Sequence, residues 1–314
     1  MIFLLGASGY VGSAFARELT RRGLPFQAIS RAELDYSRFS VLAEALKSHR
    51  PKLVIHCGGF TGKPNVDACE TQRTETILGN IVLAQTVAQA CEATGVRLGV
   101  VSSGCIYTGA KVKNEDDSRT IHEDLNAPDL ADLLASRSEK IHGFDESDRP
   151  NFTFENGSSF YSGTKAIAEK ILADFPSIYV WRLRMPFEER NNPRNYLSKL
   201  QTYPRLYQNW NSLSHLGDFT SACLQIWNAD LPGGAYNIVN PGYVSTQEVV
   251  ALIRKLRRPD WKPDFWSSET EFYQKAALAR RSNCLLRPAR IEAAGIKMRD
   301  LETALTDSIR QWSD

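Results

Sequence analysis

The stretch MIFLLGASGYVGSAFARELTRRG, Met1 to Gly23, decides the fold. Its apolar run Ile2–Leu5 suits a strand buried on both faces. The run passes directly into Gly6, Gly9 and Gly12, a GxxGxxG spacing. Val11, Phe15 and Leu19 then recur every four residues, which places one apolar stripe on a helix that Gly23 can end. Glycines between a strand and a helix allow a tight turn and let a pyrophosphate reach free N–H groups at the helix N-terminus. With Phe26–Ile29 as the next strand, the segment predicts a βαβ unit.

Outward from it, Leu53–Cys57, Leu98–Ser102 and Tyr179–Leu183 read as further strands. Ile77, Ile81, Ala84 and Ala88 ahead of Gly95, and Ala166–Phe175, read as helices. Right-handed crossovers turn this alternation into an α/β fold, a Rossmann-type doubly wound parallel sheet over residues 1–184. Residues 110–150 carry 11 acidic against 6 basic residues and no sustained period, which predicts a solvated insertion, partly helical around Leu130–Leu134. Residues 185–314 predict a smaller C-terminal substrate-binding lobe interleaved with the first domain. There Ala235–Val239 leads into a helix capped by Ser245 with Glu248 three residues on. Residues 251–300 hold 12 basic against 6 acidic residues, which reads either as a solvated face or as a pyrophosphate pocket.

The 314 residues are 42% hydrophobic and 24% charged, with a net charge of +2. That balance excludes a disulfide-stapled miniprotein or a predominantly disordered chain, and it argues against nucleic acid or an anionic membrane as partner. No apolar run approaches the ~18 residues of a membrane span, so a cytoplasmic protein is expected. The six cysteines lack CxxC spacing; reduced thiols are expected, and no metal site.

Ser8, Tyr10 and Val11 sit inside the glycine motif and join its glycines as cofactor-site candidates. After the second strand, where an acidic residue would hold the 2′-hydroxyl of NAD, the chain has Ser30 and Arg31. A guanidinium suits a 2′-phosphate, so NADPH is expected with NADH open to it. Asp35 and Tyr36 can line the adenine, or Asp35 can cap the next helix. Cys57, Gly58 and Gly59 let backbone pass close to a dinucleotide. Tyr161 and Lys165, four apart, share one helical face, and Ser103 ends a strand at the edge where α/β sheets bind ligands. The three suit proton donor, phenol-tuning ammonium and substrate-oxygen anchor. Cys105 shares the strand face of Ser103 if that strand continues; it is either buried and inert or an acid/base beside a ketone.

With GGFTGKPNVDACETQRTET (58–76), SSGCIYTG (102–109), PNFTFENGSSFYSGTKA (150–166), RLRMP (182–186), NNPRNYLSK (191–199), YNIVNPG (236–242) and RSN (281–283), the chain resembles the extended short-chain dehydrogenase/reductases. Within them it is similar to nucleotide-sugar 4-keto-reductases of the dTDP-4-dehydrorhamnose reductase type and to the bifunctional 3,5-epimerase/4-reductases of nucleotide-rhamnose synthesis. The resemblance implies a substrate of the NDP-4-keto-6-deoxyhexose class. It makes Ser103, Tyr161 and Lys165 the reductase triad and Cys105 with Lys199 the epimerising acid/base pair. Met185 and Pro186 would lie against the nicotinamide. Thr61, Gly62, Lys63, Asn65, Asn191, Asn192, Arg194, Asn195, Arg281 and Asn283 would lie around the sugar nucleotide. A reductase without epimerase activity and a non-catalytic reductase-like subunit are the alternatives, and a homodimer is one assembly open to it. Arg287 stands where the family usually has an acid.

Overall fold

In the computed structural model, which describes residues 1–313, the opening segment forms β1 (Ile2–Leu5) and α1 (Tyr10–Arg21). There follow β2 (Phe26–Ile29), α2 (Phe39–His49), β3 (Leu53–His56), α3 (Leu83–Thr94) and β4 (Arg97–Ser103). An inserted layer holds β5 (Ala110–Lys113), β6 (Arg119–His122), α4 (Pro128–Ala135) and β7 (Ile141–His142). The chain continues through α5 (Phe160–Leu172), β8 (Ile178–Leu183), α6 (Tyr196–Thr202), α7 (Leu216–Asn228), β9 (Gly234–Asn237), α8 (Thr246–Leu256) and α9 (Leu301–Arg310).

Six parallel strands form the central sheet in the order β9-β8-β4-β3-β1-β2. Side chains alternate across it. Ile2 and Leu4 pack with Phe15 of α1, Trp181 and Phe219 of α7, whereas Phe3 and Leu5 pack with Leu42, Val87 and Leu172 on the other face. Helices therefore cover both faces, as a doubly wound sheet requires.

Three expectations need correction. The run at Ala235–Val239 does not open the second lobe, because β9 pairs with β8 at the edge of the main sheet. Arg290 blocks that edge by donating to the carbonyls of Ala235 (2.8 Å) and Gly233 (3.1 Å), and Glu146 accepts from the Asn237 amide at 2.9 Å. A separate apolar cluster includes Phe187, Leu197, Leu213, Val249, Ile253 and Leu305, and the capping box of Ser245 and Glu248 opens α8 beside it. The insertion is not merely solvated: β5 pairs antiparallel with β6 and β7, and Val112, Leu130, Leu134 and Ile141 pack against Trp210 and Leu285. Its apolar residues are too sparse for a periodic signal and become a core only when joined to distant ones. Finally, the helix before Gly95 is interrupted by a π-turn at Leu78–Val82, which leaves Ile77 exposed and shifts the buried stripe to Leu83, Ala84, Val87 and Ala88.

Candidate active site

Strand order reverses between β1 and β3, and the carboxyl ends of strands at such a switch point form a crevice. A cleft of about 1040 Å³ opens there, lined by Gly6, Ser8, Gly9, Arg31, Tyr36, Cys57, Gly58 and Gly59 among others. Gly6 has φ +79°, and a Cβ on it would stand 3.0 Å from the Gly58 amide nitrogen. A Cβ on Gly12 would stand 2.1 Å from the Gly6 carbonyl oxygen, so this close contact of helix and turn accepts only glycine. Tyr10, Val11 and Gly12 shape the turn from behind and do not line the cleft: Val11 packs into the core, and the buried Tyr10 hydroxyl has no hydrogen-bond partner among the described residues.

Arg31 lines the cleft and makes no ion pair among the described residues. Glu33 lines it too, which sequence reasoning missed; its Oε2 accepts from the Ser30 amide at 2.9 Å and the Ser30 hydroxyl at 2.8 Å. These bonds from Ser30 hold the carboxyl below its ordinary range. Asp35 does not cap the next helix. It accepts from the Ser37 hydroxyl, while α2 starts only at Phe39 with Arg38 at its N-cap. Leu78 and Val82 of the π-turn stand 53% and 41% exposed on the cleft wall, apolar surface that an adenosine would cover. Together the glycine cradle, the free Arg31 and the apolar wall fit a dinucleotide.

Deeper along the strand ends, the N-cap Ser159 starts α5 by accepting from the Ser162 amide. It sets Tyr161 and Lys165 one turn apart. Asn80, 2% exposed, accepts from the Phe60 amide at 2.8 Å and donates to Thr164 Oγ1 at 3.2 Å, tying the Gly58–Phe60 loop to α5. Lys165 is 8% exposed, has no ion pair or hydrogen bond among the described residues, and points its Nζ to within 3.6 Å of where a Cβ on Gly59 would stand. Burial lowers its pKa. Burial and the Cys105 thiol push the Tyr161 phenol up, while the Ser103 hydroxyl pulls it down. This departs from the expected acidification by Lys165: in the protein alone desolvation wins, and the phenol is held protonated.

β4 ends at Ser103, so Cys105 does not lie on a continuing strand. It sits in a single 3₁₀ turn, Gly104–Ile106, that Ser103 caps by accepting from the Cys105 amide at 3.3 Å. The turn keeps the thiol beside Ser103, Tyr161 and Ser162. Burial pushes the thiol up, and the hydroxyls of Ser103 and Ser162 with the charges of Arg184 and Lys165 pull it down.

At the mouth of the second lobe, Arg194 donates to the Gly62 carbonyl at 2.6 Å. This joins the NNPRN loop to the Thr61–Asn65 loop. Arg281 forms a two-pronged pair with Asp67, both contacts 2.8 Å. Lys199, on α6, is partly buried rather than solvated, and its pKa is lowered to about 8 by burial and the charges of Arg194 and Arg281. Thr61 and Asn65 are partly exposed on their loop, Lys63 fully so. Asn192 accepts from the Arg194 amide.

Other sugar-nucleotide candidates are occupied with structure. Asn195 is fully buried, caps α6 and donates to the carbonyls of Glu188 and Arg190, so it shapes the loop instead of facing a ligand. Asn191 accepts from Ser198, and Asn283 accepts from Asn211. Met185 takes φ +37° and, with Pro186, turns the chain from β8 toward α6. The basic residues of 251–300 do not form one pocket: Arg281 pairs with Asp67, Arg290 blocks the sheet edge, Arg299 pairs with Asp218 and Asp307, and Arg287 pairs with Glu292. All six cysteines are free thiols. Among the described residues no cluster of His, Cys, Asp and Glu could hold a metal ion, and no helix is long and apolar enough to cross a membrane.

The family model of the RmlD substrate-binding domain matches residues 1–313. The chain belongs to that family. A trifunctional UDP-glucose 4,6-dehydratase/UDP-4-keto-6-deoxy-D-glucose 3,5-epimerase/UDP-4-keto-L-rhamnose-reductase of Arabidopsis thaliana is 30% identical over 89% of this chain, which spans only 37% of that relative's length. A bifunctional dTDP-4-dehydrorhamnose 3,5-epimerase/dTDP-4-dehydrorhamnose reductase of the same plant is 30% identical over 89% of this chain and 82% of its own. Among solved structures, the L780 UDP-rhamnose synthase of Acanthamoeba polyphaga mimivirus superposes with a TM-score of 0.82 at 23% identity, covering 99% of both chains. A dTDP-4-dehydrorhamnose reductase of Clostridium acetobutylicum gives 0.76 at 18%, covering 98% of both. The RmlD family assignment and these superpositions agree on a Rossmann-like α/β fold.

Proposed function

We propose that the chain is an NADPH-preferring enzyme that epimerises an NDP-4-keto-6-deoxyhexose at C3 and C5 and then reduces its 4-keto group, giving an NDP-6-deoxyhexose such as NDP-rhamnose. The observation that carries this reading is the meeting of Ser103, Tyr161, Lys165 and Cys105, brought from one strand end and one helix to a single point beside the cleft. The names of the plant relatives, which pair the two activities, support it.

A C4 carbonyl acidifies the hydrogens on both neighbouring carbons, so one site can serve both reactions. Cys105 and the partly buried Lys199, with its lowered pKa, are the acid/base pair for proton exchange at C3 and C5. Gly6, Gly9, Gly58 and Gly59 would hold the dinucleotide, with Arg31 at its 2′-phosphate. When bound, the nicotinamide supplies a hydride equivalent to the ketone. Tyr161, kept protonated by burial, gives its proton to the C4 oxygen, Ser103 orients that oxygen, and Lys165 offsets the charge left on the phenol. Arg194 and Arg281 suit the diphosphate.

The test is incubation with UDP- or dTDP-4-keto-6-deoxyglucose and NADPH in D₂O, with the product read by NMR. Deuterium at C3 and C5 is expected in the wild type and lost in Cys105→Ser. Burial of the Cys105 thiol favours a second reading, a reductase without epimerase activity. Product formed with no deuterium at either carbon would establish it.

A further inference from the structure

Two arginines close β8, and the fold treats them differently. Arg182, 5% exposed, pairs with Glu169 at 2.8 Å and also donates to the Tyr107 hydroxyl and to Asn237. Arg184, two residues on and equally buried, makes no ion pair among the described residues. Among the described residues its Nη2 donates only to neutral groups, Asn211 Oδ1 at 2.5 Å and the Ser282 carbonyl, and its buried Nε has no partner. Its backbone is pinned on both sides, its amide donating to Ser214 Oγ at 2.9 Å and its carbonyl accepting from the Ser214 amide at 2.7 Å. The side chain is therefore held where it stands.

A buried cation without an anion is expensive, and a fold that keeps one in place leaves charge available to whatever anion forms beside it. Arg184 lies against the Gly104–Ile106 turn, where a Cβ on Gly104 would stand 3.7 Å from its Cδ. The titratable and charged groups around Cys105 in that turn are Tyr161 and Lys165 from α5, Cys284 from the C-terminal segment, and Arg184 itself. None is a carboxylate. Ser103 and Ser162 complete the surround as hydroxyls.

We propose that Arg184 is a positioning residue for the epimerase step, the fixed counter-cation for the thiolate form of Cys105. In that step the thiolate takes a proton from a carbon next to the ketone and becomes a thiol. The bond's electron pair passes into the enolate, the Lys199 ammonium gives a proton to the opposite face of the carbon, and transfer of the thiol proton to the neutral amine through solvent restores the thiolate and the ammonium. Arg184 serves the sulfur in the charged state, and Lys165, whose charge also acts on the thiol, serves the oxygen. The proposal rests on the reading of Cys105 as an acid/base group, but it is tested apart from it.

The experiment follows thiolate absorbance near 240 nm against pH in the whole chain, with Cys105→Ser subtracted to isolate one thiol. Arg184→Met removes the cation; Asn211→Asp leaves Arg184 in place and gives it a carboxylate partner. Both variants are checked for cooperative melting. The Cys105 midpoint is expected to move up by about one pH unit in each, roughly a tenfold loss of thiolate at a fixed pH below it. Arg184→Lys should recover part of the shift. An unchanged midpoint in Asn211→Asp and in a folded Arg184→Met overturns the proposal; if Arg184→Met fails to fold, Asn211→Asp decides alone. Should Cys105→Ser abolish deuterium uptake while these midpoints stay put, the epimerase reading stands and the role of Arg184 falls.

Discussion

At one end of the cleft, Gly6, Ser8, Gly9, Arg31, Glu33 and Tyr36 all come from the first 36 residues, carried on a single βαβ unit. Beyond the cleft's lining lies a second region, where Ser103, Cys105, Tyr161, Lys165 and Lys199 come from a strand end, a 3₁₀ turn and two helices far apart in the chain. The first end offers open backbone to solvent, with the Arg31 guanidinium and the Glu33 carboxylate held by Ser30 beside it. The second offers buried groups whose pKa values burial has moved: Tyr161 and Cys105 up, Lys165 and Lys199 down. Local geometry is enough to cradle a ligand, whereas perturbing an acid or base needs the dry interior that only packed, distant elements create.

That contrast predicts large effects on rate at the buried end and smaller effects on binding at the open one. Tyr161→Phe should lower substrate-dependent NADPH oxidation by about 10²–10⁴-fold while cofactor titration by fluorescence stays near wild type; loss of binding in step with rate would erase the distinction. Lys199→Met should lower deuterium uptake at C3 and C5 by about 10²-fold. It should also remove an inflection near pH 8 from the uptake profile, since Lys199 becomes neutral as pH rises through about 8. Arg194→Met takes away the neighbouring positive charge that acts more strongly on Lys199, so the Lys199 pKa should rise and the inflection move to higher pH.

At the open end, Gly12→Ala forces a Cβ to 2.1 Å from the Gly6 carbonyl oxygen, and the turn must shift. Overpacking of this kind costs about 1–3 kcal/mol, read as a lower melting temperature together with weaker NADPH binding. The smallest effects belong to the pair at the 2′ position. Arg31→Ala should lower the NADPH-over-NADH binding ratio by about tenfold, and Glu33→Gln should raise it by less, because one charge attracts a 2′-phosphate and the other repels it. Movement of both ratios in the same direction would show that the two side chains do not read the same position.

Much of this protein is legible in the sequence because it is local. The period of Val11, Phe15 and Leu19, the GxxGxxG turn and the four-residue spacing of Tyr161 and Lys165 are each completed within one or two elements, so the chain determines the central strands, the doubly wound sheet and the glycine cradle by itself. The resemblance located Lys199 and paired it with Cys105, which its place two residues after Ser103 already singles out, without saying why a lysine on a polar stretch should matter. Tertiary structure supplied that reason, by burying Lys199 between Arg194 and Arg281 and by turning Cys105 back toward Tyr161 after β4 had ended. It also decided that β9 returns to the main sheet, that the acidic insertion finds a core against Trp210 and Leu285, and that Asn195 is spent on a helix cap. Likewise, among the described residues Arg182 has a carboxylate partner and Arg184 has none. Secondary structure and turns follow from neighbours along the chain, but desolvation and charge pairing depend on which residues surround a group in space, and no spacing in the sequence records that.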